Sequence, residues 1–238
     1  MIIAIVLVVF VGIIFVVMRG VPKISLEDNF NPESFIDSCV RQSVSDKLDV
    51  MLPQGGFYDP KNYKLYNDVK ISYLCKNINN YEPCINQHPV LRSEIREDLK
   101  AQIEDDVSNC FSSLEDEMKK RNYDVSSGNP EINIELKPGR VAIIINDKFS
   151  FSKGNTDESF SSFESEVMNP IYDLSGVAQE IVKQEAKYCH FSVEGYSLIH
   201  SKFVVKRDTL SDSTKIYNIL DVKSGKEMNI AIRGCVLP

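Results

Sequence analysis

The chain has 238 residues, 27 of them lysine or arginine and 34 aspartate or glutamate, for a net charge of −7. That length supports one large or two modest domains with substantial cores. The acidic balance excludes a nucleic-acid binder, which needs a basic face, and the intermixing of Lys and Glu is that of a solvated surface.

The first segment, Met1 to Met18 (MIIAIVLVVFVGIIFVVM), carries no charged side chain, and Arg19 ends it. As a helix rising about 1.5 Å per residue it spans roughly 27 Å, close to the hydrocarbon thickness of a bilayer. Residues 1–18 are therefore expected to form a single transmembrane helix. A cleaved signal peptide fits less well, because its apolar region is shorter and RGVPKIS holds no A-x-A-like site. Arg19 and Lys23 follow the span, so the positive-inside rule leans toward a cytoplasmic body on only two charges.

The cysteines lean the other way. Cys39, Cys75, Cys84, Cys110, Cys189 and Cys235 are even in number and include no C-x-x-C pair. Reducing compartments keep thiols free, whereas exported domains use them as staples, and export with disulfides is the better fit. Two alternatives compete with it. One is free buried thiols in a cytosolic protein; the other is zinc held by Cys75, Cys84 and His88, which lacks a second close-spaced ligand pair.

Residues 19–30 read as a tether. Asn31-Pro32-Glu33 opens a helix with a cap, a first-turn proline and an acid at the positive end. Phe35, Ile36, Cys39, Val40, Val44 and Leu48 form its apolar stripe, and Pro53 with Gly55-Gly56 stops it. YKLYNDVKISYLC then looks extended, and a Cys75–Cys84 bond would order the polar loop between those residues. The strongest helix runs from about Pro89 to Asn122. Its apolar residues Leu91, Ile95, Leu99, Ile103, Val107, Phe111, Leu114 and Met118 advance by three or four. Repeated steps of four drift from a heptad, which favours packing on the Asn31 helix over a coiled coil. Cys110 lies on or beside this stripe as Cys39 does on its own, so Cys39–Cys110 would tie helix to helix.

The pattern changes at SSGNP, residues 126–130. EINIELKPGRVAIIIN reads as two strands around Lys137-Pro138-Gly139, and DKFSFSKG continues the alternation. The polar stretch NTDESFSSFESE is expected to lead into a helix from about Pro170 to Cys189, with Ile171, Leu174, Val177, Ala178, Ile181 and Val182 on one face. KIYNILDV, a KSGK turn and EMNIAIRGCV make a terminal hairpin that Cys189–Cys235 would pin to the helix end. The fold class is thus α+β. It comprises a transmembrane helix (1–18), a tether (19–30), a helical disulfide-stapled domain (31–125) and an antiparallel-sheet domain with a packed helix (126–238). With bonds kept inside domains, fifteen cysteine pairings shrink to three.

Chemistry-bearing motifs are sparse. Gln54-Gly55-Gly56-Phe57-Tyr58 follows a helix instead of preceding one and lacks the lysine of a phosphate loop. It reads as a helix exit whose aromatics either cover the helix pair or offer a contact surface. His88, His190 and His200 are the only histidines, and G-x-S-x-G, H-E-x-x-H and calcium-loop patterns are lacking. His190 beside Cys189 suggests an activated thiol less readily than Cys189 suggests half of a disulfide. No catalytic, cofactor-binding or metal-ligating residue is assigned, and the chain is not read as an enzyme.

FIDSCV, QGGFYDP, ISYLC, CINQHPVL and IYNILDVKSGKEMNIAIRGCV together resemble a set of uncharacterised archaeal proteins from small-genome, often host-dependent lineages. The resemblance covers most of the chain from residue 31 onward. It implies a single-pass membrane protein with an extracytoplasmic body, and no activity. Such relatives often place Lys or Arg and then Gly-Gln before the apolar run, whereas the run here begins at Met1; a different start or a removed leader would account for that. The expected function is that of a membrane-anchored, extracytoplasmic structural or adhesive cell-surface protein, held by lipid or by neighbouring N-terminal helices and acting on a protein partner. A pilin-like filament subunit polymerising through its N-terminal helix is the alternative, although position five is Ile5 where pilins often carry an acid. An extracellular hydrolase or ligand-binding protein is a third.

Overall fold

Spacing by fours dominates the two helices on which the fold is built. The computed structural model describes residues 30–79, 81–154 and 156–234. The apolar run 1–18, most of the tether and Cys235 lie outside them. No helix among the described residues is long and apolar enough to cross a membrane.

Helix α1 (Pro32–Met51) starts at its proline with Glu33 in the first turn and buries Ile36, Val40, Val44, Leu48 and Met51. Helix α2 (Leu91–Lys120) buries all eight residues of its expected stripe, together with Cys110. Each step of four overshoots a full turn by about 40°, so the stripe winds around the helix as it advances. One helix can therefore serve two cores. Ile95, near its start, faces Gly56 and Met228, while Phe111, near its end, meets Phe149 and Phe163 with ring centroids 6.3 and 5.2 Å away.

The two helices run antiparallel and are joined covalently. Cys39 and Cys110 form a disulfide with Cα atoms 6.0 Å apart. One turn along, Ser43 Oγ donates to Asp106 Oδ2 at 2.6 Å, and Lys47 Nζ lies 3.4 Å from the same oxygen. The Ser43 hydrogen bond and the Lys47 charge hold the Asp106 carboxyl below its ordinary range, against a smaller opposing effect of burial.

Two sheets pack with these helices. The larger contains β1 (Tyr63–Tyr66), β2 (Val69–Lys76), β3 (Ile85–Asn86), β8 (Phe203–Thr209), β9 (Lys215–Asp221) and β10 (Glu227–Arg233). Its order is β1-β2-β10-β9-β8, with β3 also on β2. β1 and β2 are a hairpin closed by Asn67 and Asp68 at φ 48° and 63°, a left-handed pair whose twist suits a two-residue turn. The smaller sheet contains β4 (Asp124–Ser126), β5 (Glu131–Lys137), β6 (Arg140–Lys153) and β7 (Thr156–Met168), all paired antiparallel to β6. Helix α3 (Ile171–Tyr188) packs its expected apolar face inward, and the short α4 (Val193–Ile199) precedes β8.

The mixed α+β class holds, but the division at residue 126 does not. β2 pairs in parallel with β10, so the larger sheet draws strands from both sides of that boundary, and residues from Pro32 onward fall in one compact unit. No separate helix-rich domain forms, nor is the sheet content purely antiparallel. The cause lies in β2, where Ile71, Ser72, Tyr73, Leu74 and Cys75 are buried in succession. A strand covered on both faces belongs inside a sheet, and its neighbour comes from the C-terminal hairpin.

The stretch NTDESFSSFESE leads into α3 as expected and is itself extended. It contributes most of β7, thirteen residues paired along β6 from Met168↔Arg140 to Thr156↔Lys153. Serine and glutamate are poor strand formers, yet Phe163, Ser165 and Val167 alternate inward beside the strongly β-forming β6. Pairing and burial override intrinsic preference.

Candidate functional site

Gln54–Tyr58 leaves α1 through a 3-10 turn, Leu52–Gln54. Gly55 and Gly56 follow at φ 85° and 94°, a conformation that costs glycine little. The Gly56 N–H donates to Met51 O at 2.9 Å, closing the helix end. There is no room for a side chain. A Cβ on Gly56 would stand 2.6 Å from Ile95 Cδ1, and one on Gly55 would stand 3.0 Å from Ser72 Cβ and 3.2 Å from Asn229 O. The glycines thus let the turn sink between β2, β10 and α2. Phe57 packs its ring 4.6 Å from that of His88, the Tyr58 N–H donates to Asp98 Oδ2 at 2.7 Å, and Lys47 Nζ sits 5.3 Å from the Tyr58 ring centroid. Gln54 Nε2 bridges Val50 O and Tyr58 O. Both aromatics are half-buried, Tyr58 between Lys47 of α1 and Asp98 of α2 and Phe57 against His88 in the segment before α2.

This packing has a measurable consequence. Gly56→Ala is expected to destabilise the fold by about 2–3 kcal/mol, combining backbone strain with the clash on Ile95. Gly139, at φ 74° with nothing within 4 Å of its would-be Cβ, is the control and should lose only about 1 kcal/mol on the same change. Equal losses by denaturant unfolding would show that space at Gly56 is unimportant.

The sulfur chemistry is settled by pairing. Cys75 and Cys84 are bonded to each other with Cα atoms 5.3 Å apart, which removes them as ligands beside His88. Among the described residues, no group of three His, Cys, Asp or Glu side chains could hold a metal ion. Cys189 is also disulfide-bonded and offers no thiol to His190. Its expected partner, Cys235, lies outside the described residues.

A cluster absent from the sequence reading sits where α3 ends. Glu185 is fully buried, and its two oxygens accept from Lys215 Nζ at 2.9 and 2.7 Å. The third Lys215 hydrogen bond goes to Cys189 O at 2.8 Å, and the Tyr217 hydroxyl donates to Glu185 Oε1. Burial, followed by the hydrogen bond to Glu185 and its charge, pushes the Tyr217 hydroxyl far above its usual range, so it stays protonated. Every donor of the ammonium is used, and the cluster acts as a clasp from helix to sheet instead of a site with a free reacting atom. The signal was present in the sequence: Glu185 follows Ile181 by four positions and so lies on the apolar stripe of α3.

Two open grooves flank the smaller sheet. One, of about 440 Å³, lies between Glu33, Ser34 and Asp37 of α1 and Ser162, Phe163 and Glu164 of β7. It continues past Arg41 to Val167 and Met168. The other, of about 600 Å³, lies between Arg96, Glu97 and Lys100 of α2 and the β5–β6 pair, and continues past Lys137 to Arg92 and Tyr172. The Arg92 guanidinium stacks 3.8 Å from the Tyr172 ring centroid. No family model, no curated protein and no solved structure matches the chain.

Proposed function

We propose that the chain is a membrane-anchored, extracytoplasmic protein that works by contact, as a structural or adhesive element of an archaeal cell surface. The observation that carries this reading is the bonding of every described cysteine, Cys39 to Cys110, Cys75 to Cys84, and Cys189. Such bonds persist in oxidising compartments and are reduced in the cytosol. The uncharged run Met1–Met18 supports an anchor, and the resemblance to archaeal single-pass membrane proteins supports the same orientation. The groove parts beside Glu33 and beside Arg96 are wide and more polar than apolar, features suited to another macromolecule more than to a small apolar ligand.

The test is a thiol count on the full chain taken from membranes of expressing cells and alkylated before and after reduction. No alkylation before reduction is expected, with the body digested by protease added outside intact cells. Six alkylated cysteines without reductant, or a body shielded from external protease, would overturn the reading.

A further inference from the structure

Along Arg140–Asn146 the smaller sheet is three strands wide. β6 pairs there with β5 on one side and β7 on the other, and neither outer strand pairs with a further strand among the described residues. Two backbone edges therefore stand open, both running antiparallel to β6 and so parallel to each other. The register sets Ile134, Ile143 and Ser165 in one row and Ile132, Ile145 and Phe163 in the next, all buried. Both helices cover that same face, α1 beside β7 and α2 beside β5.

The edges differ in sign. Beside β7, three acids (Glu33, Asp37 and Glu164) outnumber the single Arg41, which itself lies 3.7 Å from Asp37. Beside β5, four cations (Arg92, Arg96, Lys100 and Lys137) outnumber Glu97, Glu135 and the strand's own Glu131, with Arg96 lying 2.8 Å from Glu97 and Lys137 2.7 Å from Glu135. Charge on an edge strand normally guards against pairing. Guards of opposite sign on two edges of one molecule block like against like and admit the unlike pair.

We propose that this chain associates with further copies of itself head to tail, the β5 edge of one copy joining the β7 edge of the next as a parallel pair. Of the three possible edge pairings, β5 to β5 opposes two basic ridges and β7 to β7 opposes two acidic ones. Only β5 to β7 brings unlike charge together, with Asp37 and Glu164 of one copy facing Arg96 and Lys100 of another. The contact is heterologous, so each added copy leaves one edge of each kind open and the assembly grows. The inference goes beyond the surface-protein reading and does not rest on it, since the edges exist in either compartment.

The test uses the full chain in detergent, with sedimentation read across protein concentration at about 50 mM and about 500 mM salt. At low salt the weight-average mass should at least double over the concentration series, and at high salt the rise should vanish. The Asp37→Lys/Glu164→Lys variant makes both edges basic, and Arg96→Glu/Lys100→Glu makes both acidic. Each alone should stay at the single-copy mass with an unchanged unfolding midpoint, and an equimolar mixture should regain association. Carbodiimide coupling of the wild type should join Lys100 to Glu164 between copies. A wild type that stays single at every concentration overturns the proposal. So does association that survives in either charge-reversed variant, which would place the contact elsewhere, for instance in the N-terminal segment.

Discussion

Replacing Cys39 and Cys110 together by alanine is expected to lower the unfolding free energy by about 4 kcal/mol. The bond closes a loop with a sequence separation of 71, and the chain-entropy estimate for a ring of that size is about 4 kcal/mol. Cys75–Cys84 spans a separation of only 9, so its removal should cost less, between about 2 and 3 kcal/mol. Denaturant unfolding of the two double variants, followed by far-ultraviolet circular dichroism without reductant, compares them directly. The ordering is the point of the experiment. If the short-loop variant loses as much as the long-loop one, the helix-to-helix bond is not the principal staple. The Ser43–Asp106 hydrogen bond one turn away survives the substitution and keeps the helices in register, so the loss should appear as a shifted midpoint with native helix content retained.

Glu185→Ala is expected to be the most damaging single substitution outside the cysteines, at about 3–5 kcal/mol. It strands the Lys215 ammonium, only 16% exposed, and takes the acceptor from the Tyr217 hydroxyl. Removing both charges should hurt less than removing one. Glu185→Leu/Lys215→Met is therefore expected to recover much of the loss, a coupling that a double-mutant cycle reads directly. Additive losses would mean that the two side chains do not act as a pair. The same cluster sets an alkaline limit. Because the folded-state pKa of Tyr217 is raised, its contribution is fully present below the unfolded value of about 10 and is lost as pH climbs beyond it. Absorbance at alkaline pH should show one tyrosine ionising only together with unfolding.

Much of the local structure was legible, and the limit of legibility was distance along the chain. α1 and α2 could be read because apolar residues spaced by fours have only one way to share a buried face. The β5–β6 and β9–β10 hairpins were visible because alternation and a Gly-containing turn lie side by side. β7 was not assigned as a strand because its serines and glutamates carry little β signal, and only the phenylalanines and Val167, seen against β6, disclose its inward face. The boundary at residue 126 failed for a different reason: parallel pairing of β2 with β10 leaves no trace near either strand. What could be read there was only extended structure; the unbroken burial from Ile71 to Cys75 that marks an interior strand is a tertiary fact. Gln54–Tyr58 was recognised as a helix exit, but the closeness of Ile95 that makes Gly56 indispensable is a tertiary fact. Glu185 was passed over because charges are ordinarily assigned to the solvated side.

The joining of β2 to β10 also bears on how the protein comes to be folded at all. Tyr73 finds Ala231 opposite it only when the long segment between them has been made. At about 5–20 residues per second, synthesis leaves an apolar strand waiting on the order of ten seconds or more for its neighbour. Few contacts in the molecule raise the contact order more, and such pairings slow the search for the native state. Until β10 emerges, the nascent chain therefore carries a sticky, half-finished sheet whose interior strand β2 lacks its neighbour.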